Sequence, residues 1–401
     1  MDDGKIKIGI IVTYTEKKEK ANKSSALGWY SKNLYEEMDH ITKKNIVILS
    51  NIKKDKGTFE ENGLFIDECW RRGSMFFWLD LIREIKKYPN LKLLHIQHEF
   101  NQFGGLFTIP LSLIFLFIAN TILGKKIIIT FHGVISQKII DKNFIEINNL
   151  FGLPFLIKIV FKTFYKTAHW FLSQTIVHEE PFKTVLEEEY KYHKPVSVIP
   201  IGVEEKKICL SKEKARDELN IKNKNIILYF GFLAGYKGID LLIDAFNKLK
   251  NNDYFLIIAG GKPTRVEHDE KYQSWFNKIE EKCKQNANIR MTGFLKEEDM
   301  ERYFVASDLT VFPYLFPLSA SGAITKAIAY KIPFIVSDSF RGVIDEKFIF
   351  EKNPENLKNK ILEFFIHDKK EYNEYVKMLK EKRSWKNSAE KTEKIYNTLL
   401  N

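Results

Sequence analysis

At 401 residues the chain is longer than one ordinary folding core, so two domains are expected. Hydrophobic residues make up 44% and charged residues 29%, a composition that excludes an intrinsically disordered chain. The net charge of +11 favours an anionic partner, and its spread over many lysines disfavours nucleic acid. Three distant cysteines and an N-terminus without signal-peptide layout predict a cytoplasmic protein without structural zinc.

Short apolar runs alternate with helical patterns along the first half of the chain. This alternation predicts a parallel, doubly wound sheet, in which ligands bind at the carboxyl ends of strands. His98 and Glu99 follow one such run and His132 follows the next, so they are candidate site residues. A lone histidine is more often a structural hydrogen-bonding group. The predicted strands are 6–12, 46–49, 91–96, 127–131 and 196–199.

The residues between Glu99 and Lys125 carry no charge and are numerous enough to span a bilayer. Gly104, Gly105 and Pro110 interrupt the start of this stretch. The strands on either side of it should lie in one sheet, which a bilayer crossing forbids. We therefore predict a buried helix.

Residues 147–178 contain no acidic residue. Lys158, Lys162 and Lys166 recur every four residues and so lie on one helical face. Phe151 and Phe155 fall close to that face, and Trp170 lies just beyond it. The pattern is typical of an interfacial helix on anionic lipid, and it also fits a core helix with a solvated lysine stripe. Both interpretations stay open.

A charged segment after Val203 marks the predicted domain boundary, and the alternation then restarts. The first predicted strand of the second domain ends at Phe230. Gly231, Gly235 and Lys237 then follow before a helical pattern. A helix start offers unpaired N–H groups and a positive dipole end to an anion, and Lys237 adds a charge there. The alternative is a strand-to-helix turn with a surface lysine. The predicted strands are 226–230, 254–259, 289–292, 309–312 and 334–337.

Three later turns in the second domain resemble ligand-binding turns. Gly260-Gly261 and Gly293-Phe294 each follow a predicted strand. Ser319 to Gly322 begin a helix of small residues, where a hydroxyl and free N–H groups either cap the helix or bind phosphate. Their position at strand ends in the domain of Lys237 favours phosphate.

The order of FGFLAGYKGIDLLIDAF, FLIIAGG, NIRMTGFLKEEDMERYFVASDLTVFPY and SASGAITKAIAYKIPFIVSD resembles family 4 of the retaining glycosyltransferases. In the first half LGWYSKNL, LLHIQHEFNQFGG, IIITFHGV and VSVIPIGV resemble the same family, as does the final SWKNSAEKTEKIYNTLL. The resemblance implies the α/β GT-B fold, in which two Rossmann-like domains face each other across a cleft. It implies an acceptor-binding domain at 1–203, a nucleotide-sugar domain at 204–375 and a crossing helix at 376–401.

The resemblance also implies roles for individual residues, with a nucleotide sugar as co-substrate and no metal or other cofactor. Lys237 and His132 would be catalytic, at the diphosphate and the donor sugar, and His98 and Glu99 would lie on the acceptor side. The acceptor would be a glycan or a lipid-linked sugar, and an enzyme using the latter would be peripheral at the inner membrane face. Donor-binding positions would be Gly28, Gly231, Gly235, Gly261, Phe294, Ser319, Ser321, Gly322 and Ala323.

The chain departs from the family pattern at three positions. The family's Glu-x7-Glu pair is replaced by Leu318 and Lys326, and its loop arginine by Phe232. A cation cannot accept the ribose hydrogen bonds that a carboxylate accepts. A subgroup with a Ser-Gly-containing helix start also lacks the acids. Two interpretations follow: a glycosyltransferase of that subgroup, or an inactive homologue that acts as the partner of an active enzyme.

Overall fold

The computed structural model describes residues 6–14, 26–100, 102–105, 108–147, 150, 152–223, 225–249, 252–263, 269–316 and 321–401. Its strands are β1 Ile8–Val12, β2 Ile46–Asn51, β3 Gly57–Glu61, β4 Leu64–Trp70, β5 Leu93–His98, β6 Lys126–Phe131, β7 Gln174–Val177, β8 Val196–Val198, β9 Asn225–Phe230, β10 Tyr254–Ala259, β11 Ile289–Met291, β12 Leu309–Phe312, β13 Phe334–Ser337 and β14 Ile349–Phe350. Its α-helices are α1 Ala26–Glu36, α2 His40–Lys44, α3 Phe77–Ile85, α4 Thr108–Phe117, α5 Lys142–Ile147, α6 Pro154–Phe171, α7 Glu180–Glu188, α8 Lys212–Glu218, α9 Ile239–Asn247, α10 Glu270–Lys284, α11 Glu297–Ala306, α12 Gly322–Ala329, α13 Pro354–Ile366, α14 Lys370–Lys382 and α15 Trp385–Leu400.

The first sheet has the order β3-β4-β2-β1-β5-β6-β7-β8. Its strands are parallel except for β3, which pairs antiparallel with β4. The five strands predicted in this half are present, and β5 ends at His98, which pairs with Phe131 at the end of β6. Neither strand of the antiparallel pair β3 and β4 was among the predicted strands. Between these two strands Asn62 and Gly63 both take positive φ, as a two-residue hairpin turn requires.

The second sheet is wholly parallel and has the order β11-β10-β9-β12-β13-β14. Its strands β10, β12 and β13 begin and end at the predicted residues. The strand order reverses at β9, which pairs with β10 on one side and β12 on the other. In open parallel sheets the crevice at such a reversal is the usual ligand site.

The uncharged stretch after Glu99 forms α4 and a π-helical turn at Ile118–Ile122. Helix α4 packs against α3 and α6. Strands β5 and β6 pair directly, as the argument against a bilayer crossing requires. Within the described residues, no helix combines the length and the apolar character that spanning a bilayer demands.

The last helix, α15, returns from the second domain to the first. Trp385, Ala389 and Tyr396 of α15 belong to the core that contains the inner face of β1. The crossing begins at Trp385 rather than at 376, because Val376 and Leu379 of α14 pack in the core of the second domain. Ser384 caps α15 by accepting a hydrogen bond from the N–H of Asn387, which marks the break between the two helices.

Candidate functional site

The loop after β9 holds a lysine at a helix start. Gly235–Lys237 form a single 3-10 turn, and α9 begins two residues later. Gly238 between them has φ +70, and a Cβ on it would lie 1.9 Å from the carbonyl oxygen of Pro313. The N–H of Leu315 donates to the carbonyl of Tyr236 at 2.8 Å. The loops after β9 and β12 are therefore joined, and only glycine fits at their contact.

The ammonium of Lys237 lies over the ring of Tyr314, 3.8 Å from its centroid, and 5.1 Å from that of Tyr236. Burial lowers the pKa of Lys237, and Tyr236 opposes this shift. In the described part of the chain no carboxylate forms an ion pair with this ammonium. The positive charge of Lys237 is held in place by aromatic rings and is available to an anion.

Tyr314 connects that ammonium to the start of α12. Its hydroxyl lies 2.8 Å from Oγ of Ser321, which caps α12 by accepting a hydrogen bond from the N–H of Ile324. Gly322, in the first turn of α12, has no atom within 4 Å of the place where a Cβ would lie. The result is a corner that combines an ammonium group with a helix N-terminus, which suits a phosphate group.

The glycines predicted for this site pack the surrounding loops closely. Gly231 has φ +137, and a Cβ on it would lie 3.7 Å from that of Ala323 in α12. A Cβ on Gly261 would lie 2.8 Å from Cβ of Phe294. The structure thus brings Lys237, Gly231, Gly235, Gly261, Phe294, Ser321, Gly322 and Ala323 to one end of the second sheet. Ser319 and Leu318 lie outside the described residues.

Two phenylalanines form an exposed pair at the rim of this corner. The rings of Phe232 and Phe294 lie 6.0 Å apart, and the side chains are 40% and 38% exposed. In the described residues of the second domain, Ile366 is the other exposed large apolar side chain. The sequence identified Phe232 only as the replacement of an arginine. The structure shows that it adds apolar surface beside Phe294.

Gly28 lies buried in the first turn of α1, and its neighbours contact both domains. The ring of Trp29 lies beneath the ammonium of Lys326, 5.1 Å away. The ring of Tyr30 packs edge-on against that of His132 at 4.5 Å. Helix α1 therefore reaches the second domain at α12, through the contact of Trp29 with Lys326.

His132 is buried, and both its ring nitrogens have partners. Nε2 lies 2.8 Å from Oε1 of Gln97, and Nδ1 lies 3.2 Å from Nε2 of His178. The Nδ1 of His178 in turn bonds the carbonyl of Ile199. Burial first, and then the charge of His178, lower the pKa of His132 well below its usual range. His132 is thus a neutral imidazole at pH 7, fixed by partners that the sequence did not identify.

His98 and Glu99 lie at the end of β5, as predicted. His98 is buried among the rings of Phe100, Phe131 and Phe164, stacked on the last at 5.0 Å. Its Nδ1 has no hydrogen-bond partner in the described residues. Burial lowers the pKa of His98 to about 3. Glu99 is half-buried.

Acid is expected to destabilise the first domain through its buried histidines. Burial lowers the pKa of His95 and His98 to about 3 and that of His178 to about 4, from 6.5. Because the unfolded chain binds these protons first, stability is complete above pH 6.5 and is lost as the pH falls towards 4 and 3. Between its folded and unfolded pKa values, each histidine lowers the free energy of unfolding by on the order of 1 kcal/mol for each unit that the pH falls. Urea unfolding at pH 7 and pH 5 measures the loss. In His98→Phe, whose new ring would pack against the same three phenylalanines, the loss should be smaller. An equal loss would contradict this account.

Lys326, at the position where the family has a glutamate, forms an ion pair with Glu204, just after the predicted domain boundary at Val203. Its Nζ lies 2.8 Å from a carboxylate oxygen of Glu204, in the segment that links the domains. Burial opposes ionisation of Glu204, but Lys326 and Lys206 outweigh it and lower its pKa.

A cavity of about 420 Å³ lies between the domains beside α12, lined by Ile324 and Thr325 on one side and Phe182 on the other. The two domains therefore enclose a cavity beside α12.

Asp67, Cys69 and Glu84 offer ligand atoms within 4.8 Å of one another, the one such group of metal-binding side chains in the described residues. Lys56 and Lys87 each place an ammonium 2.6 Å from Glu84. Burial and the charge of Glu84 raise the pKa of Asp67. Two lysines already compensate this pair of carboxyl groups, so the group is a poor cation site.

Residues 211–385 match the family model described as "Glycosyl transferases group 1". An uncharacterised glycosyltransferase of Methanocaldococcus jannaschii is 23% identical over 345 residues, covering 79% of this chain and 82% of that protein. The matched region begins at α8 and ends at Trp385, and so contains Lys237 and α12.

Solved structures resemble the whole chain. Sucrose-phosphate synthase from Thermosynechococcus elongatus superposes with a TM-score of 0.74 at 16% identity, covering 98% of this chain and 99% of that one. Anabaena HepE in complex with UDP superposes with a TM-score of 0.68 at 12% identity, covering 98% and 100%. The expected fold, GT-B with two Rossmann-like domains, is confirmed.

Proposed function

We propose that the protein is a retaining glycosyltransferase that moves a hexose from a nucleotide sugar to a lipid-linked or polysaccharide acceptor. It would belong to the subgroup of family 4 that lacks the Glu-x7-Glu pair. The observation that carries this proposal is the position of Lys237. Its ammonium lies on the ring of Tyr314, and the hydroxyl of that tyrosine meets the capping residue of α12. The match of this region to group 1 glycosyl transferases supports the same interpretation.

In the proposed complex the diphosphate lies against Lys237 and the N–H groups at the start of α12. The bond between the anomeric carbon and the diphosphate oxygen breaks, and its electron pair stays on that oxygen. Lys237 and the helix N-terminus stabilise the charge that develops there. The acceptor hydroxyl attacks from the same face, forms the new glycosidic bond and passes its proton to the leaving diphosphate.

The first domain supplies the rest of the proposed site. Helix α1 brings Gly28 to the phosphates, and a hydroxyl of the donor sugar replaces one partner of His132. His98 and Glu99 border the acceptor. A lipid-linked acceptor would place the enzyme at the inner face of a membrane as a peripheral protein.

Calorimetry with a panel of nucleotide sugars tests the proposal, beginning with UDP-glucose because HepE has been crystallised with that donor. One donor should bind tightly and release free nucleotide when an acceptor is supplied. Phe294→Ala should weaken the binding of that donor by about tenfold or more, because stacking of a base on an aromatic ring contributes ~1–3 kcal/mol. Ile366→Ala, at an exposed site on α13, is the matched control.

The same panel separates the enzyme from an inactive partner subunit. Specific binding with nucleotide release supports the enzyme. If no donor binds and no nucleotide is released, the glycosyltransferase assignment is overturned in favour of a subunit without turnover.

A further inference from the structure

The exposed large apolar side chains are concentrated on one part of the first domain. Fifteen such side chains are exposed among the described residues, and nine of them belong to the segment 114–170. Scattered surface hydrophobics are ordinary, but a cluster of this size marks an interaction surface. The nine are Ile114, Phe117, Ile122, Leu153, Phe155, Leu156, Ile159, Val160 and Trp170.

Two neighbouring helices carry these residues. Helices α4 and α6 pack together, and the rings of Phe117 and Phe171 lie 5.9 Å apart. Helix α6 buries Ile157, Phe161 and Phe164 on its inner face. The opposite face presents its apolar side chains to solvent, and no residue that the structure describes covers them. We name the outer faces of α4, the following π-helical turn and α6 the α4–α6 surface.

The charged side chains of the α4–α6 surface are basic. No acidic residue occurs between Glu99 and Asp141, or between Glu146 and Glu179. Lys158, Lys162 and Lys166 lie along α6 beside the exposed apolar residues, and they form no ion pair within the described residues. Lys194 donates to the carbonyl of Trp170 at 2.7 Å and adds an ammonium at the end of the helix.

We propose that the α4–α6 surface docks the protein on an anionic lipid bilayer. A row of lysines beside exposed Phe, Ile and Trp side chains is the combination that binds an interface of acidic headgroups and acyl chains. A protein that bound this surface would be expected to place acidic side chains against these lysines. The α4–α6 surface of a second copy of the chain has no acidic side chains to pair with them. The inference rests on the proposed function only where it makes the acceptor lipid-linked.

The placement fits such an acceptor. Helix α4 begins nine residues after Glu99, at the carboxyl end of β5 where the acceptor side was placed. The N-terminus of α6 lies at the same end of the sheet, because both helices follow strands of one parallel sheet. Docking through this surface would bring the lipid–water interface to the edge of the crevice between the two domains.

The test is flotation of the full chain with vesicles of phosphatidylcholine, alone or mixed with phosphatidylglycerol. Binding should require phosphatidylglycerol and should weaken as salt is added. The triple variant Lys158→Gln, Lys162→Gln, Lys166→Gln should partition about 10²-fold less, since each lysine near an anionic surface contributes roughly fivefold. Ile159→Asp should also release the protein.

Matched variants control for general effects. Lys271→Gln, Lys278→Gln, Lys284→Gln changes three exposed lysines of α10, and Ile366→Asp changes an exposed isoleucine of α13. Both should bind vesicles as the unmodified protein does. Donor binding, measured by calorimetry on each variant, should be unchanged, so that failure of docking and failure of the proposed activity are distinguished.

Two outcomes would overturn the proposal. One is the absence of binding to phosphatidylglycerol vesicles, or binding that the α6 variants leave intact. The other is a dimer in analytical ultracentrifugation that Ile159→Asp dissociates, which would assign the surface to a second copy of the chain.

Discussion

Replacing Lys237 with alanine is expected to reduce glycosyl transfer by about 10²–10³-fold, the range found when one stabilising contact to a developing negative charge is removed. The ammonium lies on the ring of Tyr314, so little freedom remains to be lost when a diphosphate binds. Its interaction with the leaving group strengthens as the glycosidic bond breaks. The loss should therefore appear mainly in kcat, with a smaller change in KM.

Steady-state kinetics on the donor identified by calorimetry provide the measurement. Lys248→Ala is the matched control, because Lys248 ends the same helix, α9, and forms an exposed ion pair with Glu355. It should keep normal rates. Full activity in Lys237→Ala would remove the basis of the proposed mechanism, whatever the result for the control.

Gly238→Ala is expected to lower the stability of the second domain by about 2–5 kcal/mol. The positive φ accounts for ~1–2 kcal/mol of this cost, and crowding against a packed neighbour accounts for ~1–3 kcal/mol more. The neighbour is the backbone carbonyl of Pro313, which cannot move aside as a flexible side chain would. Donor binding should weaken as well, because the displaced loop carries Lys237.

Gly293→Ala separates the cost of the positive φ from the cost of crowding against a neighbour. Gly293 has φ +71, close to the +70 of Gly238, but no atom lies within 4 Å of the position that an alanine methyl would take there. It should show only the backbone cost of ~1–2 kcal/mol. Urea unfolding of both variants measures the difference; equal losses would show that the contact with Pro313 is unimportant.

The two-residue strand β14 was missed, but the other strands of the second sheet could be predicted closely, and β10, β12 and β13 are buried on both faces. Such strands are continuous apolar runs, and β10 is found where FLII predicts it. Strands β3 and β4 were missed because GTFEE and LFIDECW mix charged with apolar residues. The Asn62-Gly63 dipeptide between them is a known hairpin signal and could have identified the pair.

The site was predictable only where its residues are neighbours in sequence. The turn that carries Lys237 and the capped start of α12 follow from local glycine and serine patterns. The contact of Lys237 with Tyr314 and that of Lys326 with Glu204 join distant segments. No local propensity encodes them. The neutral state of His132 likewise depends on burial in the folded domain and then on the charge of His178. The hydrogen bonds to Gln97 and His178 hold its ring in place.

Helix α15 has a consequence for biosynthesis. Trp385 packs on Gly202, and the hydroxyl of Tyr396 lies 2.6 Å from Nδ1 of His95, which is 301 positions earlier in the chain. The first domain thus receives part of its interior from residues that are synthesised only after the second domain. Until α15 has been synthesised, the first domain exposes the hydrophobic surface that this helix later covers. Exposed hydrophobic surface of this kind is what chaperones bind during folding. A nonsense codon upstream of α15 would remove part of the core of the first domain, which is encoded hundreds of codons earlier.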